Sequence, residues 1–398
     1  MRGREVIFFF DLFSTPQEVD TLQGDLLQWF AENGRHEIPW KLNKDGSSPE
    51  SGQLLNPYGI WIAEVMLQQT QLKVVLPYWE KWMQVFPTLP DLVTASEQEV
   101  LLLWQGLGYY SRAHRIHAAA KKLLSLIGAA DPLDPASWPR ELEVWMSLPG
   151  IGRSTAGSII SSAFDAPEEL LDGNVKRVLS RLVANSRPQK DSMAGLWKLS
   201  EQLMDRQNPR KFNQALMDLG AIVCTPRSPN CCNCPWNICC IAYSSKQTNN
   251  IPVNVVKSPL PFQVIGVGIV FNNFGKVLID QRLEEGLLGG MWEFPGGKQE
   301  LDEKIEVTIA RELREELAIE VEVGELLISL EHSYSHKKML FVVHLCNWIA
   351  GEPKPLESQQ CRWVEPNELD GYPFPAANSK MIAALNKYLL KDKPIDAS

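Results

Sequence analysis

The spacing of apolar residues divides the chain into two parts with different periods. From residue 22 to about residue 243, apolar residues recur every three or four positions, with Gly, Pro, Asp and Ser interruptions. This period is typical of consecutive amphipathic helices, and residues 60–72 and 99–104 are clear examples. We therefore predict an all-α domain over residues 22–243. Residues 1–21 are an N-terminal extension whose membership of the domain the pattern leaves open.

The pattern changes after residue 243. Residues 244–262 are polar and contain three prolines, which is typical of a linker. Four later segments predict β-strands, and a charged amphipathic segment predicts a helix. The strands are residues 264–271, 276–281, 321–330 and 339–348, and the helix is residues 305–317. The expected fold class is thus multidomain: the all-α domain, then an α+β domain over residues 263–390.

Charge is distributed unevenly along the chain. The net charge is −9, and residues 1–250 carry 24 Lys and Arg against 26 Asp and Glu. The first domain is therefore nearly neutral, and its cations cluster over residues 112–122 and 176–187. Local patches rather than total charge hold a phosphate backbone, so the charge pattern permits DNA binding without establishing it.

Six of the eight cysteines lie between residues 224 and 240. Four of them form a C-x6-C-x2-C-x5-C run: Cys224, Cys231, Cys234 and Cys240. Paired disulfides are one explanation, but such crowding indicates a metal site in a reducing compartment. Four thiolates suit a [4Fe–4S] cluster or a structural zinc, and the single short C-x2-C gap favours the cluster. Cys232 and Cys239 are poorer ligands by spacing.

The N-terminal sequence and the longest apolar runs bear on location. Residues 2–10 faintly resemble a signal peptide, but the apolar stretch is short and no cleavage site follows it. No run reaches the roughly 20 apolar residues of a membrane span. We expect a cytoplasmic monomer that does not bind membranes.

Residues 148–157 (LPGIGRSTAG) join two helical segments through a glycine-rich turn. Gly150 and Gly152 would allow a DNA backbone to approach, and amides at the next helix N-terminus can hold a phosphate. This is typical of a helix–hairpin–helix, although a simple connecting turn is the alternative. Asp172 follows about 20 residues later and, taken alone, would be a helix cap.

Together with the cysteine run, three segments resemble MutY-type adenine DNA glycosylases of the iron–sulfur helix–hairpin–helix superfamily. They are residues 57–71 (PYGIWIAEVMLQQTQ), 106–112 (GLGYYSR) and 171–179 (LDGNVKRVL). The resemblance implies a base excision repair enzyme for double-stranded DNA. It would be a monofunctional glycosylase that hydrolyses the N-glycosidic bond of adenine opposite 8-oxoguanine or guanine.

The resemblance implies specific catalytic residues. Glu64 occupies the position of the family's catalytic acid, and its apolar neighbours should raise its pKa so that it can protonate N7 of adenine. Asp172 would stay ionised and stabilise an oxocarbenium-like sugar, with Asn174 as a direct partner of the carboxylates. Ser154 stands where related bifunctional enzymes carry a Schiff-base lysine, which implies no lyase step.

Further residues are implied in DNA recognition, because the target adenine must leave the duplex. Gln68 and Tyr109 match family positions that probe or wedge the helix. Trp40 and Gln214 resemble walls of the adenine pocket, although an ordinary core role is the alternative for the tryptophan. In the family the cluster braces a loop whose cations, here Arg227, face DNA.

Residues 291–319 are close to a Nudix signature, with Ala318 where the signature has glycine. Glu312, Glu315 and Glu316 have the helical spacing that could bind Mg²⁺. The alternative function is therefore a Nudix pyrophosphohydrolase of oxidised nucleotides carried on a DNA-binding iron–sulfur domain.

The family offers another use for this second domain. MutY-type enzymes carry a MutT-like domain that recognises 8-oxoguanine, usually without hydrolysis. Their aromatic–Ser–His motif is matched by Tyr334, Ser335 and His336. Alone, this tripeptide would predict only a hairpin turn, but its place in a MutT-like domain favours lesion recognition.

Overall fold

The computed structural model describes residues 15–253, 259–334 and 337–391. These residues form two compact units. The helical unit contains residues 15–93 and 118–253, and the mixed unit contains residues 94–117 together with the described residues from 259 onward. The mixed unit thus includes a helical segment from the middle of the predicted all-α domain.

Helices dominate the chain before the linker. They are α1 (Pro16–Asn33), α2 (Pro57–Leu67), α3 (Leu72–Val85), α4 (Leu89–Thr94), α5 (Glu97–Trp104), α6 (Ser111–Ile127), α7 (Leu142–Met146), α8 (Arg153–Phe164), α9 (Gly173–Leu182), α10 (Gln189–Leu203), α11 (Pro209–Asp218) and α12 (Ile241–Ser244). A π-helical turn, Leu219–Val223, extends α11. In the described part of the chain, no helix is long and apolar enough to cross a bilayer.

The first two helices show how local sequence sets helix position. Thr15 caps α1 in a reciprocal pair with Glu18, so the helix begins before residue 22. α2 begins with Pro57 after an Asn56 cap whose side-chain oxygen accepts from the Tyr58 amide at 3.1 Å. All residues of α2 except Glu64 and Leu67 are buried, so this helix lies inside the unit.

One apolar core joins α1, α9, α10 and α11. Leu22, Leu26 and Phe30 supply the buried stripe of α1 at four-residue spacing. Trp236, from the cysteine loop, is 2% exposed and belongs to the same core. Its indole donates to the Leu22 carbonyl at 2.9 Å, which fixes the cysteine loop against α1.

The mixed unit is built on one sheet of seven strands within the described residues. The strands and helices after the linker are β1 (Phe262–Phe271), β2 (Val277–Gln281), β3 (Trp292–Glu293), β4 (Gly296–Lys298), α13 (Ile305–Leu317), β5 (Glu320–Ser333), β6 (Lys338–Ala350), β7 (Gln360–Val364) and α14 (Ala376–Lys391). The main order is β3-β2-β1-β6-β5, with β4 on β1 and β7 on β2. Only β1 and β6 are parallel among these pairs.

Separate apolar clusters pack α13 and α14 against the sheet. Gly266 and Gly268 of β1 allow α13 to approach closely, since a Cβ on either would lie 2.9 Å from Ile309 or Leu313 side-chain atoms. The predicted order, an all-α domain followed by an α+β domain, is confirmed.

Most element boundaries differ from the predicted ones by a few residues. Residues 305–317 form α13 with the predicted bounds, and β5 and β6 are longer than predicted. The predicted helix over residues 60–72 was too long, because α2 ends at Leu67. Gln69, with φ +60°, adopts the left-handed conformation that interrupts a helix.

Candidate active site and cysteine loop

A cavity of about 620 Å³ in the helical unit brings together residues that are far apart in sequence. Six of the residues that the sequence analysis singled out line this cavity: Trp40, Glu64, Gln68, Ser154, Asp172 and Asn174. These six side chains supply two carboxyl groups, two amides, a hydroxyl and an aromatic ring to the cavity. A cavity of this size suits a small ring-shaped group such as a nucleobase with its sugar.

Glu64 is the one acidic side chain of α2. Burial raises its pKa from 4.5 to about 7. The charge of Asp172 acts in the same direction, whereas the Ser158 hydroxyl and Lys41 favour the carboxylate. Near neutral pH the group can therefore hold a proton and also release it, as a general acid must.

Asp172 is the N-cap of α9. Its Oδ1 accepts from the Val175 amide at 2.7 Å. Burial raises the pKa of Asp172, while the amides of α9 and the charges of Arg177 and Lys176 favour its ionised form. Ser154 Oγ accepts from the Leu171 amide at 3.1 Å, so this hydroxyl fixes the residue just before the carboxylate.

The glycine-rich turn lies between α7 and α8. Gly150 has φ +81°, and Gly152 is the N-cap of α8. The Gln68 amide nitrogen donates to the Gly150 carbonyl at 3.2 Å and to Thr155 Oγ1 at 3.3 Å. Gln68 therefore connects the end of α2 to the hairpin at the edge of the cavity.

Asn174 packs tightly against the π-helical turn after α11. A Cβ on Gly220 would lie 2.7 Å from the Asn174 Cβ, so only glycine fits there. Arg177 donates to Asn174 Oδ1 at 2.8 Å, to the Gly220 carbonyl at 2.6 Å and to the Cys224 carbonyl at 2.7 Å. One buried guanidinium thus links the cavity wall to the cysteine loop.

Sequence reasoning missed a charged group on the same cavity wall. Asp218 is 1% exposed and accepts from the Arg35 amide at 2.7 Å and from Arg35 Nε at 2.8 Å. Lys41 lies 3.5 Å from Asp218, and burial lowers the lysine pKa. The available signal was a carboxylate inside the apolar segment 212–223.

Trp40 and Gln214 line different cavities. Trp40 is buried at the cavity that Glu64 and Asp172 line, and it packs on Trp79, with ring centroids 5.3 Å apart. Gln214 lines a second cavity of about 420 Å³, which also contains His36 and Arg210. Lys41 lines both cavities, so the two adjoin, and the expected role of Trp40 and Gln214 as walls of the adenine pocket stays a prediction.

The four cysteines of the spaced run surround one small cavity of about 20 Å³. Cys232 and Cys239 do not line it. Arg181 also lines the cavity, and its Nη1 lies 3.4 Å from Cys224 Sγ and 2.7 Å from the Thr225 carbonyl. A guanidinium beside these thiols complements the negative charge of a thiolate-bound group.

The four thiols of this loop are the donors that a [4Fe–4S] cluster or a zinc ion would use. Burial and neighbouring thiols raise the pKa of Cys234 to about 12, so four thiolates need a positive group among them. No three His, Cys, Asp or Glu side chains of the described residues are arranged to hold one metal ion. The sequence spacing of these cysteines, with a single short C-x2-C gap, is what favours a [4Fe–4S] cluster over a structural zinc.

Tyr109 and Tyr334 belong to the mixed unit. Tyr109 is 45% exposed, with φ +51°. Tyr334 is half-buried, its amide donates to the Lys337 carbonyl at 2.8 Å, and burial raises its pKa to about 12. Ser335 and His336 lie outside the described residues.

The glutamates of the Nudix-like helix are engaged within the protein. Arg311 lies 3.0 Å from Glu312 and 2.9 Å from Glu315. Burial and nearby carboxylates raise the pKa of Glu316 to about 8. Since the described residues include no group of three ligands arranged around one ion, the geometry does not support the predicted Mg²⁺ site.

Family models match both parts of the chain. The model described as "HhH-GPD superfamily base excision DNA repair protein" matches residues 62–202, and the model described as "NUDIX domain" matches residues 266–384. The first range contains Glu64 and Asp172, and the second contains α13.

Three relatives that align with this chain over most of their length are all adenine DNA glycosylases. The chain is 34% identical to the adenine DNA glycosylase of Mus musculus, over 84% of this chain and 72% of that protein. For the Homo sapiens enzyme the values are 32%, 90% and 73%. For Buchnera aphidicola subsp. Acyrthosiphon pisum they are 33%, 80% and 83%. The chain therefore belongs to the adenine DNA glycosylase family, and it is a base excision DNA repair enzyme with a helix–hairpin–helix glycosylase domain followed by a Nudix domain.

Proposed function

We propose that this enzyme hydrolyses the N-glycosidic bond of adenine opposite 8-oxoguanine or guanine in double-stranded DNA, without cutting the strand. The observation that carries the proposal is Glu64, whose pKa is raised to about 7, on the same cavity as Asp172. One acid that can be neutral and a second carboxylate are what departure of a base from its sugar requires.

Glu64 supplies the proton. Adenine leaves the sugar readily once N7 is protonated, and the pKa of Glu64 is close to neutral because α2 is buried around it. After the base departs, the same carboxylate positions the water that attacks the sugar. Ser158 and Lys41 favour that ionised form.

Asp172 stabilises the positive charge that develops on the sugar. Its carboxylate is held by the Val175 amide and by the positive end of α9, which favour the charged form. Asn174 fixes the wall beside it through Arg177. Ser154 supports the Leu171 amide and has no amine, so no Schiff base forms there.

Double-stranded DNA is held and opened by residues outside the acid pair. The Gly150 and Gly152 hairpin lies against the phosphate backbone, with α8 amides directed at it. Gln68 and Tyr109 probe or wedge the duplex near the mispair. Trp40 forms a wall of the adenine pocket, and Gln214 acts from the neighbouring cavity.

Tyr334, Ser335 and His336 read the 8-oxoguanine partner. The half-buried Tyr334 ring, stacked edge-on to His332 at 4.6 Å, supports a fixed aromatic wall at this position. Arg311 pairs with Glu312 and Glu315, two of the three candidate Mg²⁺ ligands, and this pairing favours recognition over nucleotide hydrolysis.

Cys224, Cys231, Cys234 and Cys240 hold a [4Fe–4S] cluster. Their shared cavity, the adjacent Arg181 and the exclusion of Cys232 and Cys239 support this ligand set. When bound, the cluster cross-links the loop and compensates the thiolate charge. A reducing compartment is consistent with this site, and we propose a cytoplasmic monomer.

Single-turnover incubation with three duplexes tests the proposed reaction. They carry A opposite 8-oxoguanine, C opposite 8-oxoguanine, and A opposite T, and alkali follows the reaction. We expect cleavage at the adenine of the first duplex alone, and only after alkali. Cleavage before alkali, trapped by borohydride, would contradict the monofunctional chemistry. Intact DNA in every duplex, with iron-replete protein, would contradict the substrate.

A further inference from the structure

Arg112 is buried within the segment that carries Tyr109. It lies in the first turn of α6 and is only 4% exposed. Its guanidinium carbon is 5.2 Å from the centre of the Trp104 ring and 5.4 Å from that of Tyr109. Nη2 donates to the Gly108 carbonyl at 3.0 Å and lies 3.4 Å from the Leu107 carbonyl. One side chain therefore contacts two rings and two consecutive peptide groups.

The loop that Arg112 contacts adopts an unfavourable backbone. Gly106, Gly108 and Tyr109 have φ values of +94°, +77° and +51°. Glycine tolerates this region, but a residue with a side chain, such as tyrosine, adopts it only at an energetic cost. An exposed aromatic residue keeps such a conformation only where its surroundings enforce it. Trp104 Nε1 assists by donating to the Gly108 carbonyl at 3.1 Å.

The guanidinium is suited to this task by its shape. It is planar, so it can face aromatic rings while its in-plane N–H groups reach carbonyl oxygens. A lysine ammonium keeps the charge but has no plane. Burial lowers the pKa of Arg112 to about 10, so the side chain is still charged at neutral pH. Because it is covered, it can act on DNA only through the loop that it holds.

We propose that Arg112 is a positioning residue that fixes the Tyr109 ring in the orientation needed to enter the base stack. The arginine fixes the Leu107 and Gly108 carbonyls and stacks on the ring, so that Tyr109 is presented outward before DNA arrives. This inference rests on the proposed role of Tyr109 as the wedge in adenine excision.

A double-mutant cycle tests the proposal. Arg112→Lys, Tyr109→Ala and the double variant are compared with wild type in single-turnover excision on A opposite 8-oxoguanine. Fluorescence of 2-aminopurine beside the target adenine reports unstacking. We expect Arg112→Lys to slow excision about 10- to 100-fold and to diminish the fluorescence rise, with unchanged Kd for the duplex. Added to Tyr109→Ala, it should slow excision no further.

Controls separate positioning from charge and from folding. Arg140→Lys is the matched control, because Arg140 also stacks on a ring, that of Phe164 at 5.6 Å, but is exposed. It should excise like wild type. If thermal unfolding shows that Arg112→Lys does not fold, the cycle is run with Arg112→Met, which keeps an unbranched apolar stem and removes the guanidinium.

Two results would overturn the proposal. One is a multiplicative loss in the double variant, which would mean that Arg112 acts independently of the tyrosine. The other is wild-type excision by Arg112→Lys. Failure of the wild-type protein to excise adenine would instead overturn the proposed function, and with it the role of Tyr109.

Discussion

Each unit contains a half-buried helix glutamate with a raised pKa, but the surroundings of the two carboxyl groups differ. In the helical unit, burial raises the pKa of Glu64 to about 7, and Ser158 and Lys41 act against the shift. In the mixed unit, burial raises the pKa of Glu316 to about 8, and its strongest charged neighbours are carboxylates. Glu64 therefore has partners that stabilise either protonation state, whereas Glu316 has repulsion added to burial.

This difference shows that a raised pKa alone does not identify a catalytic acid. Burial on a packed helix raises the pKa of any carboxyl group. The distinguishing feature at Glu64 is a cavity that also contains Asp172 and the groups that hold it. Excision should accordingly depend on the first glutamate and not on the second.

Replacing the two glutamates separately gives the largest expected contrast. Glu64→Gln removes the proton donor and should slow single-turnover excision about 10²- to 10⁴-fold, with little change in duplex affinity. Glu316→Gln is the matched control and should excise at the wild-type rate. Equal losses in the two variants would contradict the assignment of catalysis to the helical unit.

We also expect the bound iron of the protein to depend on cysteines of the helical unit. Cys240→Ser removes a proposed cluster ligand, so we expect loss of iron and of the cluster's visible absorbance, with a lower Tm. Cys239→Ser alters the adjacent cysteine, which does not line the cysteine cavity, and should retain iron. Loss of iron in Cys239→Ser with retention in Cys240→Ser would contradict the proposed ligand set.

The pH dependence of excision sharpens the role of Glu64. Its raised pKa means that the proton is bound below about pH 7 and lost above it. The single-turnover rate should therefore be level below that pH and fall about tenfold per pH unit above it. The Glu316→Gln variant should give the same profile. A rate that rises through pH 7 would exclude Glu64 as the general acid.

The smallest expected contrast between the units concerns stability, at two helix C-caps whose residues adopt the left-handed backbone conformation. Ala318 ends α13 with φ +56°, and Ala318→Gly should raise the free energy of unfolding by about 1 kcal/mol. Asp165 ends α8 with φ +53°, but its carboxylate accepts from the Gly52 amide at 2.7 Å and the Arg210 amide at 3.0 Å.

Asp165→Gly should therefore lower the free energy of unfolding by about 1–2 kcal/mol, because two amides lose their acceptor. Chemical denaturation measures both variants. Stabilisation by Asp165→Gly would show that backbone conformation outweighs those two hydrogen bonds.

The sequence was a good guide wherever a feature depends on neighbouring residues. The bounds of α13 follow from its charged amphipathic pattern, and the order of the helical and mixed domains follows from the change in period. The resemblance singled out Glu64 and Asp172 without showing how they meet. The structure places them on one cavity. Glu64 of the buried helix α2 lines this cavity, and so does Asp172, the residue at which α9 begins.

Other features depended on contacts between distant segments. Lys41 forms an ion pair with Asp218, which lies far from it in sequence. Gly220 has no Cβ, so Asn174 can pack against it. Gln214 lines a different cavity from the one that Glu64 lines. Residues 94–117 belong to the mixed unit although their period is that of the helices around them. Local patterns do not encode which helix faces will meet.

The sequence by itself determined the family, the order of the domains, and the residue types available for chemistry. These depend on short-range spacing, such as the cysteine run and the hairpin glycines. Only the tertiary structure decided that Glu64 becomes an acid that can be neutral near pH 7 on a cavity that also holds Asp172. That property depends on how much water α2 excludes from Glu64 and on the charges that distant segments bring beside it.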